Sequence, residues 1–345
     1  MSTKTAARNQ SMELAKLIAS FFVVCIHYWL PGKLGSWVEI LARFAVPMFF
    51  IISGYFNYGA DCRQVSRRLK SIIRLYLIAA ALYLLWGCIV AELEGGSSVA
   101  SLVCSIPKPN EWYLWLAVQM DPFAAHLWYL NAIIVVYSVY WLYLRFFGEG
   151  NIRYQPLYLA GFALFAVYFH ACVMPTTLPE TEVLMACRNA WFTGIPMFTL
   201  GIFLRQYQQQ ILDGFRLTTG KQLLLIFGGI ALVTLQWAAD CVTFLPIGIL
   251  PLLAGLMLLA ITHPHISGKS GFLAAVFARC GAWSTWIYIL HPLVRSAYKR
   301  LLRPAVFDLI TEEAERAIHP LIVIALSLLA AMVIERLFRA VKKAV

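Results

Sequence analysis

The chain has 345 residues, of which 61% are hydrophobic and only 13% are charged. A soluble domain carries about 25% charged residues, so this composition argues against a soluble enzyme and indicates a polytopic membrane protein. The formal net charge is +11. Its cations lie mostly between apolar segments, which indicates membrane topology and not a nucleic-acid-binding surface.

Apolar segments follow one another along the chain, and most have the ~20 residues that a bilayer-spanning helix needs. We predict spans at 12–31, 37–58, 71–91, 126–147, 155–174, 189–204, 222–239, 242–262, 272–294 and 318–338. If the N-terminus is cytoplasmic, the inner segments hold twice as many Lys and Arg residues as the outer ones, as the positive-inside rule requires. We therefore predict an all-α integral membrane protein of about ten transmembrane helices, with both termini cytoplasmic and one domain over residues 1–345.

The first span contains KLIASFFVVCIH, which begins with Lys16 and ends with His27. Eleven residues advance a helix by about three turns, so both side chains lie on one face, about 16 Å apart along the axis. Ionisable residues inside a membrane usually face a bundle interior or a cavity, and Glu13 is placed to pair with Lys16. Alternatively, Lys16 extends to the cytoplasmic interface and His27 lies among the headgroups.

The second span contains a deep arginine and a proline. Arg43 either neutralises a substrate group or pairs with Glu39, four residues earlier. Pro47 cannot donate a backbone hydrogen bond, so we expect it to kink the helix.

Five cations lie just before the third span, in RQVSRRLKSIIR, residues 63–74. Such a patch can set topology and bind anionic lipid. It can equally bind the phosphates of a ligand, for which arginine side chains have suitable donors.

Later in the chain, two histidines are placed to reach the outer half of the membrane. His126 opens the fourth span, and His291 precedes a proline late in the ninth. Either is a candidate for an acceptor site, although each could be structural. The outer segment 295–316 is unusually basic. We expect a surface helix there that contacts anionic lipid or an anionic substrate, unless the ninth span extends differently.

Five stretches, in order, resemble acyltransferase family 3, the membrane-bound acyltransferases of bacterial envelopes that include O-antigen and enterobacterial common antigen O-acetyltransferases. They are KLIASFFVVCIH, RFAVPMFFIISGYF at 43–56, HLWYL at 126–130, RNAWFTGIPMFTLGIFLRQ at 188–206 and STWIYILHPLV at 284–294. The family usually has arginine where this chain has Lys16. Lysine keeps the charge but lacks the planar fork of arginine.

The resemblance implies transfer of an acyl group, with acetyl expected, from cytoplasmic acyl-CoA across the inner membrane to a hydroxyl of an envelope carbohydrate. It implies a CoA site at Arg67, Arg68 and Arg74, with Lys16 and His27 catalytic and no metal. His27 acts as general base or as an acylated relay. The competing class is an exporter of an envelope polymer or lipid-linked intermediate.

Overall fold

The computed structural model describes residues 9–28, 30–94, 117, 119, 121–147, 153–173, 187–240, 245–266, 271–303 and 311–344. The structure is 85% helical, and no strand occurs among those residues. The prediction of an all-α fold is therefore confirmed.

The α-helices of the described part are numbered here in chain order. They are α1 Gln10–His27, α2 Gly32–Ala42, α3 Ala45–Tyr55, α4 Cys62–Glu94, α5 Trp128–Phe147, α6 Gln155–Val173, α7 Ile195–Gln206, α8 Gln208–Gly214, α9 Thr219–Ala238, α10 Ile249–Thr262, α11 Phe272–Phe277, α12 Cys280–Ala297 and α13 Glu312–Ala344. A 3₁₀ turn, Ala125–Leu127, leads into α5. One π-helical turn, Ala190–Gly194, precedes α7, and another, Tyr298–Leu302, extends α12.

Seven helical segments of the described part are long and apolar enough to cross a membrane, and each coincides with a predicted span. They are Gln10–His27, Gly32–Tyr55, Cys62–Leu93, Ala125–Phe147, Thr219–Ala238, Phe272–Leu302 and Glu313–Ala340. The remaining predicted spans fall on α6, α7 and α10, which have 19, 12 and 14 residues. The chain is thus a multi-pass membrane protein, but the count of ten spans is not confirmed.

The second predicted span consists of two helices and not one kinked helix. Helix α2 ends at Ala42, and α3 begins at Ala45 after a turn at Arg43 and Phe44. The break has a local cause, because Pro47 has no N–H to donate to the carbonyl of Arg43.

The chain divides into two compact units, a first unit of Met1–Phe49 with Leu212–Val345 and a second unit of Phe50–Ile211. In the first unit, α12 packs between α1 and α13, and α9 packs on α10. In the second unit, α4 packs on α5, and α6 packs on α7. The expectation of a single domain over residues 1–345 stays a prediction.

Helices α3 and α7 approach closely in the second unit because glycine stands at both contact points. A Cβ atom at Gly54 would overlap the carbonyl oxygen of Phe198, and one at Gly201 would overlap that of Ile51. Small residues at helix contacts in membranes allow such close backbone packing. The motif around Gly54 therefore has a packing role in this fold.

We expect Gly54→Ala to destabilise the protein by about 1–3 kcal/mol, because the added methyl group forces two backbones apart. Gly228→Ala is the matched control, since a Cβ there meets nothing within 4 Å and alanine favours the helix. Thermal unfolding in detergent measures both effects. Equal melting temperatures for Gly54→Ala and wild type would contradict the close approach.

Candidate functional site

Helix α1 carries a charged pair where it packs against α12. The ammonium of Lys16 donates to a carboxylate oxygen of Glu13 at 3.1 Å, so the pair expected from their spacing is present. The carboxylate lies directly against Gly281, where a Cβ atom would overlap it. The Ser284 hydroxyl donates to the backbone carbonyl of Lys16 at 2.9 Å. The start of α1 is thereby fixed to α12.

The other end of the same α1 face brings two histidines together. The ring centroids of His27 and His291 lie 5.2 Å apart. Contacts along the interface run from Lys16 with Ser284 to His27 with His291, so α1 and α12 run in the same direction. Lys16 and His27 both lie towards α12, within the first unit.

The imidazole of His291 is held in one tautomer by its own helix. Its side chain is completely buried, and Nδ1 lies 3.1 Å from the Ile287 carbonyl and 2.8 Å from that of Tyr288. A carbonyl can only accept, so Nδ1 carries the proton. Pro292 has no N–H to donate to Tyr288, which leaves that carbonyl available to the ring. Nε2 is therefore the basic nitrogen of neutral His291.

Tyr28 stands at the centre of the histidine cluster. Its ring centroid lies 5.9 Å from those of His291 and His319, and the Arg295 guanidinium lies 4.4 Å from it in a cation–π contact. The Tyr28 ring thereby holds the guanidinium of Arg295 in place.

His27 and Tyr28 border a cavity of about 650 Å³ in the first unit. Arg295, Arg316 and His319 also line it. A cavity of this size suits a small-molecule substrate, and an imidazole at its wall can take a proton from a bound hydroxyl. The arrangement therefore suits acid–base chemistry on a hydroxyl compound.

Two other predicted site residues have structural partners. Arg43 lies 3.9 Å from Glu39, so the ion-pair alternative for Arg43 is present, and Glu39 itself lines the cavity. His126 lies in the second unit, buried, with its ring 5.0 Å from that of Tyr83. An acceptor role for either residue stays a prediction.

The three arginines predicted to bind CoA lie on α4 in the second unit but differ in environment. Arg68 donates to the Phe56 carbonyl at 2.9 Å and to the Asn57 amide oxygen at 2.6 Å. It thereby stabilises the turn after α3. Arg67 and Arg74 are exposed and seven residues apart, hence on one face of the helix. These two are the stronger candidates for a phosphate site.

His319 is not among the predicted site residues, although the sequence carries a signal for it. The LHPLV stretch that contains His291 recurs as IHPLIV around His319.

Arg295 lies in the segment expected to form an outer surface helix, but α12 and its π-helical turn continue to Leu302. Arg295 is therefore part of the same continuous helix as His291. Residues 304–310 of the expected surface helix lie outside the described residues.

The chain is similar to known proteins over most of its length. The serine/alanine racemase of Enterococcus gallinarum is 22% identical over 321 residues, which cover 83% of this chain and 40% of the racemase. The chain thus spans less than half the length of that curated relative. No solved structure matches the chain. Residues 9–336 match the acyltransferase family 3 description, an acyltransferase domain. Because this match covers nearly the whole sequence, the chain belongs to acyltransferase family 3.

Proposed function

We propose that the protein transfers an acyl group, with acetyl expected, from cytoplasmic acyl-CoA to a hydroxyl of an envelope carbohydrate. It would act in the bacterial inner membrane, with about ten spans and both termini cytoplasmic. The observation that carries this proposal is the pair of His27 and His291, 5.2 Å apart, beside a cavity in a member of an acyltransferase family.

The proposed reaction requires only two substrates, acyl-CoA and the acceptor. His27 takes the proton of the acceptor hydroxyl while the hydroxyl oxygen attacks the carbonyl carbon of the thioester. A carbon–oxygen bond forms and the carbon–sulfur bond breaks, and the imidazolium returns its proton to the CoA thiolate. The products are an ester and free CoA. In the competing version, a nitrogen of His27 is acylated first and then transfers the group to the hydroxyl.

We assign His27 the contact with the acceptor and His291 a positioning role. His27 lines the cavity, whereas His291 is fully buried with Nδ1 held by backbone carbonyls. A fixed neighbour limits the orientations that His27 can take, and orientation of a reacting group contributes strongly to rate.

The donor site is proposed at Arg67 and Arg74. We expect Arg67→Ala combined with Arg74→Ala to weaken CoA binding by about tenfold or more, because hydrogen bonds to charged groups contribute ~1.5–3 kcal/mol each. Calorimetric titration of the purified protein with CoA measures the effect. Arg68→Ala is the contrasting variant, which should lower thermal stability by releasing Phe56 and Asn57. Unchanged CoA affinity in a folded double variant would rule out this donor site.

Lys16 is proposed to act through its charge. Lys16→Ala leaves the buried carboxylate of Glu13 without its ammonium, so we expect a loss of about 1–3 kcal/mol in stability and weaker donor use. Lys16→Arg should keep wild-type stability and wild-type donor use. The combination of Glu13→Gln with Lys16→Met separates the two effects, because it removes both charges. We expect it to restore thermal stability but not transfer, and restored transfer would contradict a role for the charge.

The direct test follows radiolabel from acetyl-CoA. Purified protein in nanodiscs is incubated with [¹⁴C]acetyl-CoA and envelope polysaccharide, and ester formation is measured as base-labile label on the polysaccharide. Label on the polysaccharide with equal release of CoA supports the proposal. Absence of both would overturn it. Passage of unmodified polysaccharide through proteoliposomes, without ester formation, would favour the exporter.

A further inference from the structure

We propose that the acceptor carries an anionic group, a carboxylate or a phosphate, and that Arg295, Arg316 and His319 form the subsite that binds it. The inference deepens the proposed function and rests on it for the identity of the cavity as the acceptor site. It names the substrate class, a hydroxyl compound with a negative charge, and three residues that select it.

The wall of the cavity carries more positive than negative groups. Two guanidinium groups, Arg295 and Arg316, face one carboxylate, Glu39. That carboxylate already lies 3.9 Å from Arg43. The nearby buried acid Glu315 lies 3.3 Å from Arg303. Glu39 and Glu315 thus each have another cation, and the residues that line the cavity include two guanidinium groups and one carboxylate, a balance that favours an anion.

The donors of the subsite come from two helices, α12 and α13. Arg316 and His319 are three residues apart on α13 and share one helix face, and both line the cavity. Arg295 reaches the same cavity from α12, with its guanidinium held over the Tyr28 ring at 4.4 Å. Within the described part of the chain, Nε of Arg295 is buried without a hydrogen-bond acceptor. Planar guanidinium groups bind carboxylate and phosphate through paired donors.

The subsite and the proposed base line the same cavity. Arg295 follows His291 by four residues on α12, which is about 6 Å along the helix axis. His27 lines the same cavity as Arg295. An anion bound at the subsite therefore shares one cavity with the hydroxyl that His27 activates. A sugar acid or a sugar phosphate carries both groups on one molecule.

Binding is tested with D-glucuronate and D-glucose, which differ only at C6, where glucuronate has a carboxylate and glucose a hydroxymethyl group. Glucose 6-phosphate tests the phosphate. We expect both anions to raise the melting temperature of the purified protein by about 2 °C at a ligand concentration of ten times Kd. Glucose should leave the melting temperature unchanged. The shift should be lost in Arg316→Gln, at an exposed position, and in Arg295→Gln. Arg300→Gln is the charge-matched control, since exposed Arg300 lies outside the cavity wall.

Two further probes identify other sources of the anion. If 3′,5′-ADP gives the Arg316-dependent shift and glucuronate does not, the subsite holds the donor's phosphates and the inference is overturned. If phosphatidylglycerol in nanodiscs gives the shift and soluble anions do not, the subsite holds a lipid headgroup, which also overturns it. Equal shifts with glucose and glucuronate would overturn the requirement for charge.

Transfer assays separate this inference from the proposed function. We expect Arg316→Gln to raise KM for an anionic acceptor about tenfold while leaving CoA affinity unchanged. Equal transfer to anionic and neutral polysaccharide by wild type would overturn the subsite and leave the acyltransferase proposal standing. An Arg316-dependent shift with glucuronate, without transfer to any acceptor, would support the anion subsite and overturn the proposed reaction.

Discussion

His27→Ala is expected to reduce acyl transfer by about 10²–10⁴-fold, the usual contribution of a positioned general base. His27 lines the cavity and lies 5.2 Å from His291, so its removal leaves no imidazole at that point of the wall. CoA affinity should stay within twofold of wild type, because the proposed phosphate contacts are made by Arg67 and Arg74. The measurements are kcat/KM with [¹⁴C]acetyl-CoA in nanodiscs and calorimetric titration with CoA.

The matched control is His170→Ala, which removes an exposed histidine from α6 and should leave transfer unchanged. Thermal unfolding of both variants establishes that each is folded. If His27→Ala transfers acyl groups at a near-normal rate, His27 is not the base. His126 and His291 then become the next candidates, and the placement of His27 at the headgroups would explain its presence.

The local part of the site could be predicted because it depends on helix periodicity alone. The spacing of Lys16 and His27 placed both on one face, and the three-residue step from Glu13 predicted the ion pair found at 3.1 Å. The same reasoning placed His291 in the outer half of its helix, but not against His27. That contact joins residues more than 250 positions apart, and no periodicity within one helix specifies which helices become neighbours.

Other features escaped prediction for identifiable physical reasons. Arg68 looked equivalent to Arg67 in a run of cations, but its hydrogen bonds to Phe56 and Asn57 depend on how the chain turns after α3. The predicted span 242–262 is apolar throughout, yet its helix, Ile249–Thr262, has only 14 residues. Hydropathy reports where a segment prefers to lie, whereas helix length also depends on turns and packing. The count of ten spans therefore stays a prediction.

His291→Ala is expected to lower kcat by about 10–10²-fold, the range seen when a residue that orients a reacting group is removed. KM for the acceptor should change little, because the cavity wall is formed by His27 and other residues. His291→Asn is the informative partner variant. Its amide N–H can replace Nδ1 as the donor to Tyr288, but it has no counterpart of Nε2. We expect normal stability but low activity in His291→Asn, since the imidazole that limits the orientation of His27 is lost.

Pro292→Ala tests the origin of the fixed tautomer without touching the imidazole. Alanine restores a backbone N–H that competes with Nδ1 of His291 for the Tyr288 carbonyl, so the ring gains freedom. We expect kcat to fall several-fold while thermal stability holds or rises, because proline is unfavourable inside a helix. A stable Pro292→Ala protein with wild-type kcat would show that the tautomer does not depend on this carbonyl. Wild-type activity in His291→Asn would show that Nε2 is dispensable, which would leave His291 a purely structural residue.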